Sequence, residues 1–322
     1  MPKPRILLTR RWPKEAETKL FGAFDVTSDP KDRPITQETL IDALRSHDGL
    51  ACTVSDQIDA AVIRKSAPCR CKIIANFGVG TNHIDIKVAQ ESGIIVTNTP
   101  DVLTDATADL ALTLILMVSR RVGEGEREIR NGLWTGWRPT HMLGRQISGK
   151  TLGIVGMGRI GRATAMRAAY GFGMKIIFYN RSALSDCGPI EAKQLSSVEE
   201  VCASSDVISL HCASNRDTRH IINQKAISQM KPEAIIINTA RGDVIDEEAL
   251  AEALEQRLIG GAGLDVFQSE PNISPRLINA PNTVLLPHLG SATTETRNAM
   301  GMRVLRNLES FFSGGDALDL VI

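Results

Sequence analysis

Three side chains suited to acid–base and electrostatic catalysis follow short apolar runs in the second half of the chain. Arg241 comes just after "AIIINT", Glu270 follows "AGLDVF", and His288 follows "TVLLP". An imidazolium can protonate an oxygen that becomes negative near neutral pH, and a carboxylate beside it stabilises and orients it. A guanidinium can hold a carboxylate with two hydrogen bonds and polarise the adjacent carbonyl group. Together these residue types suit the hydride reduction of a ketone that carries a carboxylate.

Each of these residues also has an ordinary structural explanation. A histidine after proline is often structural, and an Arg–Glu pair is often a plain salt bridge. Their shared placement favours chemistry, because the carboxyl ends of parallel strands line the ligand crevice of a doubly wound sheet. We therefore predict that Arg241, Glu270 and His288 are catalytic.

A glycine-rich turn predicts where the phosphates of a dinucleotide would bind. The stretch "TLGIVGMGRIG" places Gly156, Gly158 and Gly161 directly after a strand candidate and before a helix. The first glycine permits a tight turn, the second lets the backbone approach a pyrophosphate, and the third allows close helix–strand packing. The bare motif is weak evidence, since such a turn can exist without a ligand. Here the strand before it, the helix after it and the next strand all stand in the expected order.

The end of that next strand, "KIIFYNRSAL", departs from the usual NAD pattern. An acidic residue here would hydrogen-bond the ribose hydroxyls and repel a 2′-phosphate, but the chain has Asn180, Arg181 and Ser182. A guanidinium fork suits a phosphate, and a hydroxyl adds a donor. The turn favours NADPH, with NADH as the weaker alternative, although Arg181 could instead be a solvated turn residue.

The elements that must position these residues are an α/β series. β-Branched runs alternate with helical patterns, with four strand candidates in the first third and six from "KTLGIVG" to "TVLLP". The stretch "DVLTDATADLALTLILMVSRR" is apolar nearly all round and predicts a long buried helix. The final helix, "TETRNAMGMRVLRNLESFF", lacks a strand partner in its own half, so we expect it to pack on the first domain. The predicted domains are a discontinuous substrate domain, 1–99 plus 289–322, and a dinucleotide-binding domain, 100–288.

Length, charge and cysteine content limit the kinds of partner and site that the chain is expected to have. A chain of 322 residues fits two domains, and its formal net charge of zero does not suggest nucleic acid or an anionic membrane as a partner. The longest apolar runs are too short for a membrane span, and the N-terminal run is too short for a signal sequence. Six cysteines without a CxxC pair or a zinc-ligand spacing predict a reduced, cytoplasmic protein without a metal site.

The same segments resemble the D-isomer-specific 2-hydroxyacid dehydrogenase family, in family order and across nearly the whole chain. The matching pieces are "NFGVGTNHID", "NTPDVLTDATADLAL", "GKTLGIVGMGRIG", "NTARGDVIDEEAL", "AGLDVFQSEP" and "LLPHLGSATTETR". Within the family the chain looks most like the glyoxylate/hydroxypyruvate reductases. The resemblance implies two Rossmann-like domains with doubly wound parallel sheets, a homodimer, and reduction of a small 2-keto acid to a D-2-hydroxy acid.

The resemblance also implies a role for each matching residue at the substrate. Arg241 would bind the substrate carboxylate, His288 would donate the proton, and Glu270 would pair with His288. The backbone N–H groups of Val79 and Gly80 would bind the same carboxylate.

At the cofactor, Asp265 would hold the nicotinamide carboxamide, and Thr104 would lie near the same ring. Arg159 and Ile160 would sit under the pyrophosphate. With the turn residues already discussed, the predicted cofactor contacts are Thr104, Gly156, Gly158, Arg159, Ile160, Gly161, Asn180, Arg181, Ser182, Thr218, Thr239 and Asp265.

One loop departs from the family pattern. After "SLH" the family often has a proline-containing turn, whereas this chain reads "CASNRDT". Arg216 in this loop is either a second phosphate partner or a solvated arginine, and the latter is favoured. The segment with Trp134 and Trp137 is a candidate dimer element, and core packing is at least as strongly favoured for either tryptophan.

Other functions of the same fold remain as alternatives. A nicotinamide-sensing corepressor would bind the cofactor without turnover, and larger 2-keto acids such as phenylpyruvate or 2-ketogluconate could be the substrates. Related formate dehydrogenases pair their histidine with Gln, so Glu270 disfavours that activity. Phosphoglycerate dehydrogenases typically use NAD, which the "NRS" turn disfavours.

Overall fold

The structure is a computed structural model that describes residues 2–321. The chain forms two compact units. The first unit runs to Leu103 and resumes at Ser291, and the second unit is Thr104–Gly290. The boundaries expected from the sequence lay at 99/100 and 288/289. The first unit draws on both ends of the chain, so it is discontinuous.

The first unit contains a five-stranded parallel sheet of order β2-β1-β3-β4-β5. Its strands are β1 (Arg5–Leu8), β2 (Asp25–Ser28), β3 (Gly49–Thr53), β4 (Ile73–Phe77) and β5 (Ile95–Thr97). Its helices are α1 (Lys14–Ala23), α2 (Gln37–Ser46), α3 (Ala60–Lys65), α4 (Ile86–Glu91) and α12 (Thr294–Phe312). Only β2 was not predicted among the strands, because it is an edge strand whose "DVTS" sequence is never fully buried.

The final helix, α12, packs against α1 and β4, as predicted from its lack of a strand partner. One face is buried, including Met300, Val304, Leu305 and Leu308. At Gly301 an added Cβ would lie 2.6 Å from the Cβ of Ala16, so only glycine permits this approach of the two helices.

The second unit contains a seven-stranded parallel sheet of order β12-β11-β10-β9-β6-β7-β8. Its strands are β6 (Thr151–Val155), β7 (Lys175–Tyr179), β8 (Ala192–Gln194), β9 (Val207–Leu210), β10 (Ile235–Asn238), β11 (Gly261–Leu264) and β12 (Thr283–Leu285). Its helices are α5 (Thr104–Ser119), α6 (Val122–Arg130), α7 (Arg159–Phe172), α8 (Val198–Ser204), α9 (Gln224–Ser228), α10 (Glu247–Glu255) and α11 (Pro275–Asn279). The sheet grows outward in both directions from β6 and β9, so its topological switch point lies between them. Six of these strands were predicted, and the short edge strand β8 was not.

The helix α5 corrects one prediction from the sequence. It is shorter than its apolar stretch, and it is buried along one face only, which includes Ala108, Leu114 and Val118. Leu116 and Met117 on its other side are only half-buried. Some apolar side chains of this helix are therefore left partly exposed.

Within residues 2–321, no helix is long and apolar enough to cross a membrane, and no group of three or more His, Cys, Asp or Glu side chains could hold a metal ion. All six cysteines are free thiols.

Candidate active site

Three neighbouring strands of the second unit bring Arg241, Glu270 and His288 to the carboxyl edge of the sheet, the side at which its parallel strands end. β10 pairs with β11, and β11 pairs with β12, all in parallel. Each of the three residues follows the carboxyl end of one of these strands, so the polar side chains predicted from the sequence lie at a common edge.

His288 and Glu270 form a hydrogen-bonded pair. The Nδ1 atom of His288 lies 2.8 Å from Oε2 of Glu270, and the backbone N–H of Phe267 donates to Oε1 of Glu270 at 2.9 Å. Burial works against ionisation of Glu270, but the hydrogen bond and charge of His288 and the Phe267 N–H outweigh it and hold the Glu270 pKa below its ordinary value. Because Nδ1 faces the carboxylate, Nε2 is the ring atom that can carry a transferable proton.

The turn that carries His288 is held by Asp265. His288 has a φ of 55°, a left-handed conformation that is rare outside glycine. Its N–H donates to the Asp265 carbonyl at 2.9 Å, and the next two N–H groups, of Leu289 and Gly290, donate to the Asp265 carboxylate oxygens at 2.6 and 2.8 Å. Burial raises the Asp265 pKa above its ordinary value, and these N–H groups oppose the shift. The predicted nicotinamide contact thus also anchors the turn that presents His288.

A buried amide holds Arg241 in a similar way. Asn238, the last residue of β10, donates from Nδ2 to the Arg241 carbonyl at 2.8 Å and accepts from the Ala240 N–H at 3.0 Å. An added Cβ at Gly242 would lie 1.9 Å from the Phe267 carbonyl carbon, so glycine is needed for this close approach. Burial lowers the Arg241 pKa, while the nearby Glu270 and Asp243 carboxylates oppose this, and a guanidinium stays charged in either case.

Two glycines of the glycine-rich turn are required by close protein packing, and the third, Gly158, faces open space. Gly156 has a φ of 96°, and an added Cβ would lie 2.6 Å from the Cys212 backbone nitrogen. A Cβ on Gly161 would lie 2.3 Å from the Gly156 carbonyl oxygen. A Cβ on Gly158 meets no protein atom within 4 Å, so this glycine is not explained by protein packing. No side chain caps the start of α7 at Gly158, which suits an anion at that helix N-terminus.

A buried hydroxyl supports a polar ligand at the same edge. The Thr239 hydroxyl, directly after β10, is buried without a hydrogen-bond partner among residues 2–321. Beside it in the sheet series, Asn180 Oδ1 accepts from the Met157 N–H at 3.1 Å and so joins the ends of β6 and β7. The unsatisfied hydroxyl of Thr239, the uncapped start of α7 and the open space at Gly158 are all compatible with a bound dinucleotide.

The turn after β7 places Arg181, the residue predicted to bind a 2′-phosphate, near the carboxylate of Asp217. The Arg181 side chain is 85% exposed, and its Nη1 lies 4.0 Å from Oδ2 of Asp217. The loop that carries Asp217 lacks prolines but is ordered by its own side chains. Thr218 donates to the Ala213 carbonyl at 2.6 Å and accepts from the Asn215 N–H at 2.8 Å, so its hydroxyl is already used inside this loop.

The remaining predicted residues occupy loop or helix-end positions. Ser182 is exposed in the turn after β7, and its carbonyl accepts from Gln194 at 3.1 Å. Thr104 is the first residue of α5, and Arg159 and Ile160 begin α7. In the first unit, Val79 and Gly80 follow β4.

Sequence reasoning missed the residues that hold the site. Asn238 was not singled out, and neither was Asn76 near the end of β4; both are almost completely buried. A usable signal was present, because each is an amide at the end of an apolar strand run, where a buried polar group must find partners in the following turn. The second role of Asp265 had no such signal.

Known proteins share both the sequence and this architecture. Residues 112–290, more than half of the chain, match the family model described as "D-isomer specific 2-hydroxyacid dehydrogenase, NAD binding domain". The chain belongs to the D-isomer specific 2-hydroxyacid dehydrogenase family. As a member of this family it is an NAD(P)-dependent oxidoreductase, which confirms the resemblance seen in the sequence motifs.

Individual relatives within the family cover nearly all of the chain. A glyoxylate reductase of Thermococcus litoralis is 44% identical over 97% of this chain and 95% of its own length. A glyoxylate reductase structure from Paecilomyes thermophila has 36% identity and a TM-score of 0.87 over 100% of this chain and 99% of its own. An NADPH-dependent glyoxylate/hydroxypyruvate reductase from Sinorhizobium meliloti, in complex with NADP and malonate, has 34% identity and a TM-score of 0.88 over 99% of this chain and 97% of its own.

Proposed function

We propose that the protein reduces small 2-keto acids, such as glyoxylate and hydroxypyruvate, to D-2-hydroxy acids and prefers NADPH. The observation that carries this proposal is the 2.8 Å pair of His288 and Glu270, beside Arg241 at the same sheet edge. Relatives named as glyoxylate reductases support the choice of substrate class.

The reaction assigns one task to each of the three side chains. When bound, the reduced nicotinamide supplies the hydride. Arg241 holds the substrate carboxylate through paired N–H groups and polarises the adjacent carbonyl. His288 donates the proton from Nε2 to the carbonyl oxygen as negative charge develops there. Glu270 keeps the imidazolium oriented and stabilises its charge until the proton has moved.

The preference for NADPH rests on the turn after β7. No carboxylate stands at residues 180–182, and Arg181 is exposed and able to meet a 2′-phosphate. Asp217 is the opposing influence, because its carboxylate attracts the same guanidinium and repels a phosphate. The NADP-bound Sinorhizobium meliloti relative supports this choice of cofactor.

We further propose that the protein is a homodimer. Large apolar side chains are exposed on α6 and on the segment after it, and Trp137 is 82% exposed. Apolar surface concentrated in one segment is typical of a protein–protein interface. The free thiols support a reducing compartment, the cytoplasm, as its location.

A substrate panel tests the proposed function directly. Glyoxylate, hydroxypyruvate, pyruvate, phenylpyruvate and 2-ketogluconate are each assayed with NADPH and with NADH. We expect the highest kcat/KM for glyoxylate or hydroxypyruvate with NADPH. Highest activity with phenylpyruvate or 2-ketogluconate would move the assignment to larger substrates, and cofactor binding without any turnover would favour a corepressor-like binding protein.

His288→Gln tests the proton donor in the same assay. Gln has no transferable proton, so kcat should fall by about 10²–10⁴-fold, while NADPH affinity measured by fluorescence titration stays nearly unchanged. Wild-type kcat in this variant would refute the role of His288.

A further inference from the structure

Three successive carbonyl groups after β4 all accept hydrogen bonds from side-chain amides. Asn76 Nδ2 donates to the carbonyls of Gly78 and Gly80, each at 3.0 Å. Asn98 Nδ2 donates to the carbonyl between them, that of Val79, at 2.9 Å. The backbone of this loop is therefore held by the side chains of Asn76 and Asn98.

This pattern determines where the loop N–H groups point. In a trans peptide the C=O and N–H bonds point in opposite directions. The carbonyls of Gly78 and Gly80 point toward Asn76, so the N–H groups of Val79 and Thr81 point away from it. The Val79 carbonyl points toward Asn98, so the Gly80 N–H points away from that side chain. Successive backbone N–H groups of a loop can form a concave site for an anion such as a carboxylate.

Asn76 can hold this arrangement because every one of its hydrogen-bonding positions is used. It is completely buried, and the two loop carbonyls can only accept, so the atom facing them is Nδ2. Its Oδ1 then faces His83 Nε2 at 3.1 Å and Cys52 Sγ at 3.8 Å. His83 must present Nε2–H as a donor, and burial raises the pKa of the Cys52 thiol, so that group also stays protonated.

We propose that Asn76 is a positioning residue for the carboxylate of the 2-keto acid, and that His83 fixes the orientation of the Asn76 amide. Thr81 adds a third backbone donor to Val79 and Gly80. The inference rests on the proposed function, because it takes the anion at this loop to be the substrate carboxylate.

Asn76→Asp is the first test, since it keeps the shape of the side chain and removes both donors. We expect KM for glyoxylate and the inhibition constant of oxamate, a carboxylate-bearing keto-acid analogue, to rise by about 10- to 100-fold. KM for NADPH, and its dissociation constant from fluorescence titration, should change less than about 2-fold, as expected for a group that positions only the carboxylate donors. A merely structural role would instead lower the melting temperature and weaken keto acid and cofactor together.

A pair of His83 variants gives the test a second route if Asn76→Asp does not fold. His83→Leu removes the donor to Oδ1 and should raise the oxamate constant. His83→Gln keeps an N–H donor and should restore most of the lost affinity.

His47→Leu is the matched control in the same unit. His47 is also a buried histidine, hydrogen-bonded to Thr27 Oγ1 at 3.1 Å, but it precedes β3 and so lies at the opposite end of the strands. It should lower the melting temperature without changing the oxamate constant.

An unchanged oxamate constant in folded Asn76→Asp or His83→Leu would overturn the inference. So would a change of the same size in His47→Leu. Failure of the proposed function would look different, because the wild-type protein itself would then turn over no 2-keto acid.

Discussion

At the scale of the residue, the proposed chemistry depends on buried polar groups that never touch the reacting atoms. Asp265 accepts three backbone hydrogen bonds through its carbonyl and carboxylate oxygens and so holds the left-handed turn at His288. Asn238 holds the segment of Arg241 by donating to the Arg241 carbonyl and accepting from the Ala240 N–H. Strained backbone at a functional site persists only when the surrounding contacts over-determine it, as they do here.

Glu270→Gln should show what the carboxylate contributes to proton transfer. Interaction with His288 helps to hold the Glu270 pKa low, so Glu270 is ionised at neutral pH. Gln keeps the shape of the side chain but not its charge, so it can no longer stabilise positive charge on the His288 ring. We expect kcat with glyoxylate to fall by about 10-fold or more, while NADPH affinity measured by fluorescence titration stays nearly unchanged. An unchanged kcat would show that the charge of Glu270 is not used.

Arg181→Ala and Asp217→Asn should change cofactor preference in opposite directions. Arg181→Ala removes a charge-assisted contact with the 2′-phosphate. It should therefore weaken 2′,5′-ADP binding by about 10-fold or more and leave 5′-AMP binding unaffected.

Asp217→Asn removes the carboxylate that competes for Arg181. Since exposed ion pairs contribute about 0.2–1 kcal/mol, 2′,5′-ADP should bind about 1.5- to 5-fold tighter to this variant. Calorimetric titration measures both, with Glu199→Gln as a control acid that pairs with Lys225 instead. No effect in Arg181→Ala would leave it as a turn residue only.

At the scale of the element, the turn between β6 and α7 combines close packing with an open approach. Gly156 and Gly161 are needed because a side chain would strike backbone atoms, whereas Gly158 faces no protein atom. The same turn therefore serves folding at two positions and a ligand at the third.

Gly158→Ala and Gly171→Ala should separate these two roles. An added Cβ meets no protein atom within 4 Å at either position. Gly171→Ala, inside α7, should stabilise the protein by about 0.5–1 kcal/mol without changing NADPH affinity. Gly158→Ala should leave the free energy of unfolding nearly unchanged but weaken NADPH by about 10-fold or more, because the backbone can no longer approach the pyrophosphate. Equal NADPH affinity in the two variants would contradict the assignment.

The helix α12 is attached to the C-terminal segment by an ion pair between half-buried Arg303 and buried Asp319, and its strength should depend on pH. Arg303 donates two hydrogen bonds to Asp319 at 2.7 and 2.6 Å, and Asn307 donates a third at 2.8 Å. The Arg303 hydrogen bond lowers the Asp319 pKa. The stabilisation is thus complete above the ordinary carboxyl pKa of about 4 and is lost as pH falls through the lowered value.

Arg303→Met should therefore destabilise the protein at neutral pH far more than in acid. The variant leaves a buried carboxylate without its cation, and we expect a loss of about 2–4 kcal/mol at pH 7. The difference from wild type, measured by urea denaturation, should shrink as pH falls below the ordinary carboxyl pKa of about 4 and through the lowered Asp319 pKa, because both proteins then protonate Asp319. A difference that stays constant with pH would show that packing, and not charge, is lost.

At the scale of the whole molecule, exposed apolar side chains are concentrated in one stretch of the second unit. Leu116 and Met117 on α5 are half-buried, and Ile129, Trp137 and Leu143 after it are exposed. Apolar side chains exposed within one stretch are typical of an interface between copies of a chain.

Leu143→Asp should convert the proposed dimer to a monomer. A charge buried at an apolar interface is strongly unfavourable, so the mass from sedimentation equilibrium should fall by half at micromolar concentration. Leu318→Asp, an exposed leucine of the first unit, is the control and should keep the mass of the wild type. A monomeric wild-type protein would contradict the dimer itself.

Most of the fold could be predicted because its signals are local. Ten of the twelve strands within residues 2–321 were predicted as short apolar runs, and the two missed strands, β2 and β8, are edge strands whose "DVTS" and "AKQ" sequences are mostly polar. The burial of α5 was overestimated for the opposite reason. An apolar pattern reports that a face needs cover, but it does not say whether the same chain supplies that cover.

The order of strand candidates along the chain was enough to predict which chemistry-bearing residue follows which strand, and hence that Arg241, Glu270 and His288 lie at the carboxyl ends of neighbouring strands. That inference needed only strand order and the parallel direction of the sheet. Only the folded structure shows the 2.8 Å contact of His288 with Glu270, the hold of Asp265 on the His288 turn, and the hydrogen bonds of Asn76 to the carbonyls of Gly78 and Gly80. These depend on packing between residues distant in the chain or on exact turn geometry, which local periodicity does not encode.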